Sequence, residues 1–299
     1  MNNPLPNFLI VGAAKSGTSS LHNYLNQHPN IFMPAFKNNI KVKEPRFLVK
    51  DSLYERVNHI DNFQEYKNLF ANASEKAIGE ASVFYLFFYQ EAISNIKKYL
   101  GNDVRIIIIL RNPIERALSA YNHVSRTSSE DLTFEDAIKI EKSRYINDKK
   151  ITPMINYKSM GLYSKMVKAY LDNFNLVKII MFEDFKKNPS KSVRECFEFL
   201  KVNKNIKINV SQRVNSGGKK WLNSRYKWIY NSKKHFLKPL KYLVPFNKRA
   251  KLNAWFFNKF TIENKHISKD NRNYLINYFK EDVNKLSLFI NKDLDHWLK

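Results

Sequence analysis

"NFLIVGAAKSGTSSLHNYLNQHP", residues 7–29, passes from an apolar run through a loop of small residues into a helical pattern, with one lysine at the bend. Phe8 to Val11 reads as a buried strand and Thr18 to Asn26 as a helix. The loop between them holds Gly12 and Gly17. A strand, a tight loop and a helix start gather backbone N–H groups and the positive helix end around one point, which favours an anion. Lys15 adds a mobile charge there, and Ser16, Thr18, Ser19 and Ser20 add hydroxyl donors. An ordinary strand-to-helix turn with a solvated lysine is the competing reading. It leaves unexplained why a lysine and four hydroxyl residues cluster about one glycine.

Outward from this stretch, short apolar runs alternate with helical patterns. Strands are predicted at Ala77–Ile78, Val104–Leu110 and Val177–Phe182, and the β-branched "VRIIIIL" of 104–110 suits a central parallel strand. Helical patterns cover roughly Thr18–Asn26, Tyr85–Tyr99, Thr133–Asp148, Lys158–Phe174, Pro189–Leu200 and Lys269–Asn291. The alternation predicts an α/β fold: an open parallel sheet flanked by helices, with a P-loop-like core. No repeat, low-complexity tract or linker interrupts it, so residues 1–299 read as a single domain.

The chain has 299 residues, 43% of them hydrophobic, enough for a substantial core and too many for a disordered protein. Fifty-one Lys and Arg against 27 Asp and Glu give a formal charge of +24, a field that attracts phosphate-bearing cofactors and anionic acceptors. Because the excess is mostly lysine beside abundant asparagine, coding composition is an equally weighted explanation. Cys196 is the one cysteine, which excludes an internal disulfide, suggests a reducing compartment and reads as a buried inert thiol. Phe8–Val11 is too short for a signal or spanning segment, and no later run reaches about 18 apolar residues. A cytoplasmic protein follows as the expectation, with any membrane contact peripheral.

The order of residues in the opening loop is informative. Nucleotide kinases read G-x-x-x-x-G-K-[ST], whereas "GAAKSGTSS" places Lys15 before Gly17. "VGAAKSGTSSL" resembles the 5'-phosphosulfate loop of sulfotransferases that use 3'-phosphoadenosine 5'-phosphosulfate (PAPS, leaving PAP), whose lysine sits in this position. Members of that family resemble one another also in a strand followed by Arg and, eight residues on, Ser. "IIIILRNPIERALSAYNH" supplies Arg111 and Ser119 in that arrangement. Ligands of open α/β folds bind beyond the carboxyl ends of strands, so both loops can face one crevice. The resemblance implies that the Lys15 loop takes the sulfate end and Arg111 with Ser119 the 3'-phosphate, a task suited to arginine's planar fork. "GLYSKMVKAYLDNF" and "VKIIMFEDFKKNPSKSVRECFEFL" are similar to later family elements, with Glu183, Asp184 and Pro189 matching its E-D-x-x-x-x-P turn in a mostly structural role. "RVNSGGKKW" looks like the family's late loop, which closes over the cofactor with a basic residue. Lys220 is carried over, and Lys219 is the neighbouring candidate.

Sulfuryl transfer needs positioning, charge stabilisation and a base for the acceptor proton, and no metal. Lys15 is the residue to meet charge on the leaving oxygen. In "KVKEPRFLVKD", Glu44 falls where resembling glycan sulfotransferases carry a glutamate, which makes it the candidate base; the alternative is a surface carboxylate among Lys41, Lys43 and Arg46. Histidines serve as base in some branches, and of His22, His28, His59 and His123, His59 is the reserve. After the second predicted strand, "IGEASVFYLF" keeps Glu80, Ser82 and Tyr85 of the family's pattern but has Ala81 where glycosaminoglycan-modifying relatives use lysine. Glu80 and Tyr85 can line the acceptor side, or serve as a strand-end cap and a core aromatic.

Between Phe199 and Ile262 there is no Asp or Glu, and about 219–260 interleaves Lys and Arg with aromatic residues. Such a segment can hold a carbohydrate, lie on an anionic membrane or bind single-stranded nucleic acid, or it is an insertion with core aromatics and solvated lysines. Nucleic acid ranks last, because no nucleic-acid fold pattern accompanies it. The expected function is a PAPS-dependent sulfotransferase acting on a hydroxyl of a carbohydrate or glycolipid. A P-loop-type nucleotide kinase and a non-enzymatic basic binding protein for anionic surfaces are the alternatives.

Overall fold

The computed structural model describes residues 4–34, 36–37, 40–41, 44–127, 130–211, 219–221, 225, 255, 259–263 and 267–299. Five strands form the central sheet: β1 (Phe8–Gly12), β2 (Ile31–Phe32), β3 (Ala77–Ala81), β4 (Arg105–Leu110) and β5 (Val177–Met181). Their spatial order is β2-β3-β1-β4-β5, and every pairing is parallel. The sequence pattern predicted this architecture, except that β2 is only two residues long and carries no readable period. Val177–Phe182 was predicted as strand throughout; Phe182 instead opens a helix.

The helices are α1 (Thr18–Leu25), α2 (Phe63–Asn68), α3 (Tyr89–Tyr99), α4 (Pro113–Thr127), α5 (Phe134–Asn147), α6 (Tyr163–Asn173), α7 (Phe182–Lys187), α8 (Pro189–Phe199) and α9 (Lys269–Ile290). Local chemistry sets several of their starts. Thr133, Asn188 and Ser268 each accept an N–H of the first turn with the side chain, and Pro189 takes the position where no N–H is needed.

Alternation along the strands divides the core in two. Phe8, Ile10, Ile107 and Ile109 face α1 and α8 through Leu21, Tyr24, Leu25, Val193, Cys196 and Phe197. Leu9, Val11, Ile106, Ile108 and Leu110 face the opposite layer, which includes residues of α3, α4, α6 and α9. A parallel sheet covered on both faces needs near-continuous apolar strands, which "FLIV" and "RIIIIL" provide. Burial pushes the Cys196 thiol up to about 12, so it is inert as expected.

The strand order sets the site. The chain leaves β1 toward β2 and β3 on one side, then crosses to β4 and β5 on the other, so the loops after β1 and β4 part at a topological switch point. Two short antiparallel pairs lie outside this sheet: 36–37 with 40–41, and 219–221 with 261–263. The strand at 219–221 runs beside α4. Side chains there, including those of Lys219 and Lys220, and most of the basic aromatic segment of about 219–260, lie outside the described residues. Among the described residues no helix is long and apolar enough to cross a membrane.

Candidate active site

Gly17 caps α1 in the left-handed conformation, at φ 91 and ψ 9. A side chain there is strained by the backbone alone, and its Cβ would come within 3.1 Å of the Phe182 ring. This turns the chain sharply before α1, leaving the helix's first N–H groups open to a ligand. Ser16 is fully buried, and its Oγ has no hydrogen-bond partner. An orphaned hydroxyl in a loop beneath a helix N-terminus fits an anion that completes it. Thr18 is buried, and Ser19 and Ser20 are half-buried on the first turn of α1.

Arg111 follows β4 immediately. Its Nη1 donates to the Lys15 carbonyl at 3.1 Å, and its guanidinium lies 4.8 Å from the centre of the Phe182 ring. Sequence reasoning placed the two motifs on one crevice, and the structure brings them into contact. Ser119 is buried on α4. Glu183, at the start of α7, accepts the Asn112 N–H at 3.1 Å through one oxygen, and its other oxygen is buried without a partner. Its contact is thus with the arginine loop, in keeping with a structural part. Asn112 also donates to the Trp297 carbonyl at 3.1 Å, docking the last described segment under that loop.

Lys15 sits among like charges. Its pKa is drawn down to about 8, first by burial, then by Arg126 and Arg111, with Arg116 adding to the effect and Glu44 opposing it. Burial and the neighbouring Lys15 and Arg126 lower His123 to about 3, so its imidazole is neutral. Arg126 Nη2 contacts His123 Nδ1 at 3.0 Å, and since arginine can only donate, the ring proton resides on Nε2. Such a ring can donate from Nε2 but has no nitrogen left to take a proton. Arg116 is fully buried, with Nε and Nη1 unpartnered and Nη2 donating to the Tyr157 carbonyl. Sequence reasoning did not single out Arg116 or Arg126. Their spacing on the helix after Arg111 was the available signal, but α4 itself was not predicted.

Glu44 is an acidic group whose charge opposes the cations around Lys15. Its Oε2 accepts from Arg46 Nη2 at 2.8 Å, and a fifth of its side chain remains exposed. It is neither lost in the core nor freely solvated, and it acts electrostatically on Lys15, His123 and Glu80. His59 uses Nδ1 on the Val57 carbonyl at 2.8 Å and Nε2 on the Asp61 carboxylate at 2.9 Å, so both nitrogens face acceptors. His22 and His28 are buried, bonded to the carbonyls of Pro34 and Asn203.

An N–H loop, a lysine and an arginine fork meet at a switch point, an arrangement suited to an anionic ligand. A model of the sulfotransferase domain matches residues 5–286, and the chain belongs to that family, whose members use PAPS. It superposes on a sulfotransferase from Alicyclobacillus acidocaldarius with a TM-score of 0.74 and 31% identity, over 99% of this chain and 100% of that one. The membrane-associated sulfotransferase kil1 of Dictyostelium discoideum is 34% identical over 118 residues, 40% of this chain and 23% of that protein. Heparan sulfate glucosamine 3-O-sulfotransferase 3A1 of Mus musculus is 24% identical over 198 residues, 66% of this chain and 46% of that protein. The chain spans less than half the length of these two curated relatives.

Proposed function

We propose that the protein transfers a sulfuryl group from PAPS to a hydroxyl of a carbohydrate or glycolipid. The observation that carries this reading is the bond from Arg111 to the Lys15 carbonyl, which joins the two anion-binding motifs with Glu44 close enough to act on Lys15.

The residues present fit the donor: Ser16 Oγ needs a partner, and the surrounding donors and cations select a polyanion. The loop 15–20 and the first turn of α1 would hold the 5' end, and Arg111 with Ser119 the 3'-phosphate. PAPS supplies an activated sulfuryl group on a phosphate leaving group. Lys15 in its ammonium form donates toward the oxygen on which charge develops, and Arg126 and Arg111 keep the local field positive. Glu44 takes the acceptor hydroxyl proton, and the ion pair with Arg46 orients its second oxygen. With Oε2 held by Arg46, the effect of Glu44 as a base comes from its placement.

The carbohydrate reading draws on the relatives named for heparan sulfate and carbohydrate acceptors. Glycolipid as the acceptor and peripheral contact with an anionic membrane rest on the acid-free basic segment alone. The test is a thermal-shift comparison of PAP with ATP and magnesium, followed by a screen of desulfated polysaccharides and glycolipids with 35S-labelled PAPS. Stabilisation by PAP and label in a polysaccharide or glycolipid support the proposal. Preference for ATP, or label transfer only to acceptors of other classes, overturns it.

A further inference from the structure

Glu80, at the carboxyl end of β3, is fully buried and accepts three hydroxyl protons: Tyr85 at 2.6 Å, Ser82 at 2.8 Å and Tyr66 at 3.3 Å. Two of these hydroxyls lead onward. Ser82 Oγ accepts the Arg46 N–H at 3.1 Å, and Tyr85 Oη accepts the Leu48 N–H at 3.4 Å. Each hydroxyl has one proton, and with that proton committed to Glu80 its lone pairs are turned to the loop. Arg46 in turn holds Glu44 at 2.8 Å, bonds the Asn58 carbonyl at 2.8 Å and lies over the Phe84 ring. Its φ of 57 is left-handed, a conformation a side chain disfavours and the surroundings must hold.

The turn that carries Ser82 and Tyr85 is also fixed to β1. Ser82 N–H donates to the Ile10 carbonyl at 3.1 Å and Leu86 N–H to the Val11 carbonyl at 2.8 Å. β1 runs straight into the Lys15 loop, so the loop bearing Glu44 and the loop bearing Lys15 are referred to one frame.

We propose that Glu80 is a positioning residue for sulfuryl transfer: through Ser82 and Tyr85 it fixes the Arg46–Leu48 backbone, and with it the Glu44 carboxylate, relative to Lys15. The proposal rests on the reading of Glu44 as the base. It gives the buried glutamate a role that neither an acceptor-lining residue nor a simple strand-end cap has. Glu80→Gln keeps the volume but brings amide donors against hydroxyl donors, so at least one hydroxyl must point its proton away from residue 80, and the geometry in which its oxygen accepts from the loop is no longer fixed.

The test has two arms on the full chain. Amide hydrogen exchange with PAP present reads the 44–50 segment in wild type, Glu80→Gln and Ser82→Ala. Exchange there should quicken about 10-fold or more, by the scale for losing local protection, while β1 and β4 stay protected. Unchanged protection of 44–50 overturns the proposal. If Glu80→Gln does not fold, Ser82→Ala and Tyr85→Phe carry the same comparison. In the kinetic arm, on an acceptor from the screen, Glu80→Gln should lower kcat about 10-fold with KM for PAPS unchanged. In a Glu44→Gln background the same change should cost nothing further. Additive losses overturn the proposal, because Glu80 would then act by another route. Absence of transfer by the wild-type protein would refute the proposed function instead, and the exchange arm would still decide the positioning role.

Discussion

Arg111 Nη1 donates to the carbonyl oxygen of Lys15 at 3.1 Å, tying together loops 96 residues apart in the chain. The bond uses one donor of the fork, and Nη2 lies 3.8 Å from the Glu115 carboxylate, a separation at which it can still donate to a ligand. Arg111→Ala should therefore weaken PAP binding by about 2 kcal/mol or more, the scale for a charged hydrogen bond, and also loosen the Lys15 loop. Arg111→Lys keeps the charge but not the fork, and should recover only part of the loss. Calorimetric titration with PAP checks both; an unaltered dissociation constant for Arg111→Ala would remove Arg111 from the donor site.

Lys15→Ala should reduce turnover about 10²-fold or more, by the usual scale for removing a donor that meets developing charge. The pKa of about 8 adds a pH signature. The protonated form binds the anion, so PAP affinity should be level below about pH 8 and fall above it. Lys15→Arg keeps its charge and should move that fall to higher pH. Titrations across pH 7–10 check the sign; affinity rising with pH would contradict it.

Much of the frame was legible because strands buried on both faces must be apolar throughout, and "RIIIIL" at 105–110 says so without its neighbours. α4 was legible by another pattern. Its apolar stripe is present, since Ile114, Ala117, Leu118, Tyr121 and Val124 recur at helical spacing and are buried, and the buried Arg116, Ser119 and Asn122 accompany them; the pattern was there to read and was passed over. The meeting of the Lys15 loop with Arg111 was legible, because each follows a readable strand of one parallel sheet. The nearness of Arg126 and His123 to Lys15, and the bonds from Arg46 and Leu48 to Ser82 and Tyr85, depend on the fold bringing distant segments together.

Glu80 also predicts a pH dependence of stability. Burial, only partly offset by its three hydroxyl donors, raises its pKa from 4.5 to about 7. The folded state then holds this proton more tightly than the unfolded chain. The associated stability is fully present below about pH 4.5 and is lost as pH rises through 7, amounting to about 3 kcal/mol at full ionisation. Glu80→Gln cannot titrate, so the fall in unfolding free energy between pH 5 and pH 8 should shrink by about that amount. Urea denaturation of both proteins at the two pH values measures it. Identical slopes would mean that Glu80 does not change protonation over this range.

The assignment of the base can be decided by substitution at three positions. Glu44→Gln preserves shape and a hydrogen-bonding oxygen but removes basicity, so turnover should fall by about 10² to 10⁴ with PAP affinity nearly unchanged. If Glu44 were only the partner of Arg46, its loss would lower stability by leaving a mostly buried arginine without its carboxylate and would leave the rate almost intact. His59→Ala should leave turnover close to wild type, because both ring nitrogens are engaged, with the Val57 carbonyl and the Asp61 carboxylate. His123 is the sharper control. Its ring contacts Arg126 and is neutral, so it can donate a hydrogen bond but cannot accept the acceptor's proton. Replacing it should alter KM more than the pH profile of kcat. A normal rate for Glu44→Gln together with a collapsed rate for His59→Ala would transfer the base role to the histidine. The proposed donor-binding role of Lys15, Arg111 and Ser119 would stand, since it does not depend on which group removes the proton.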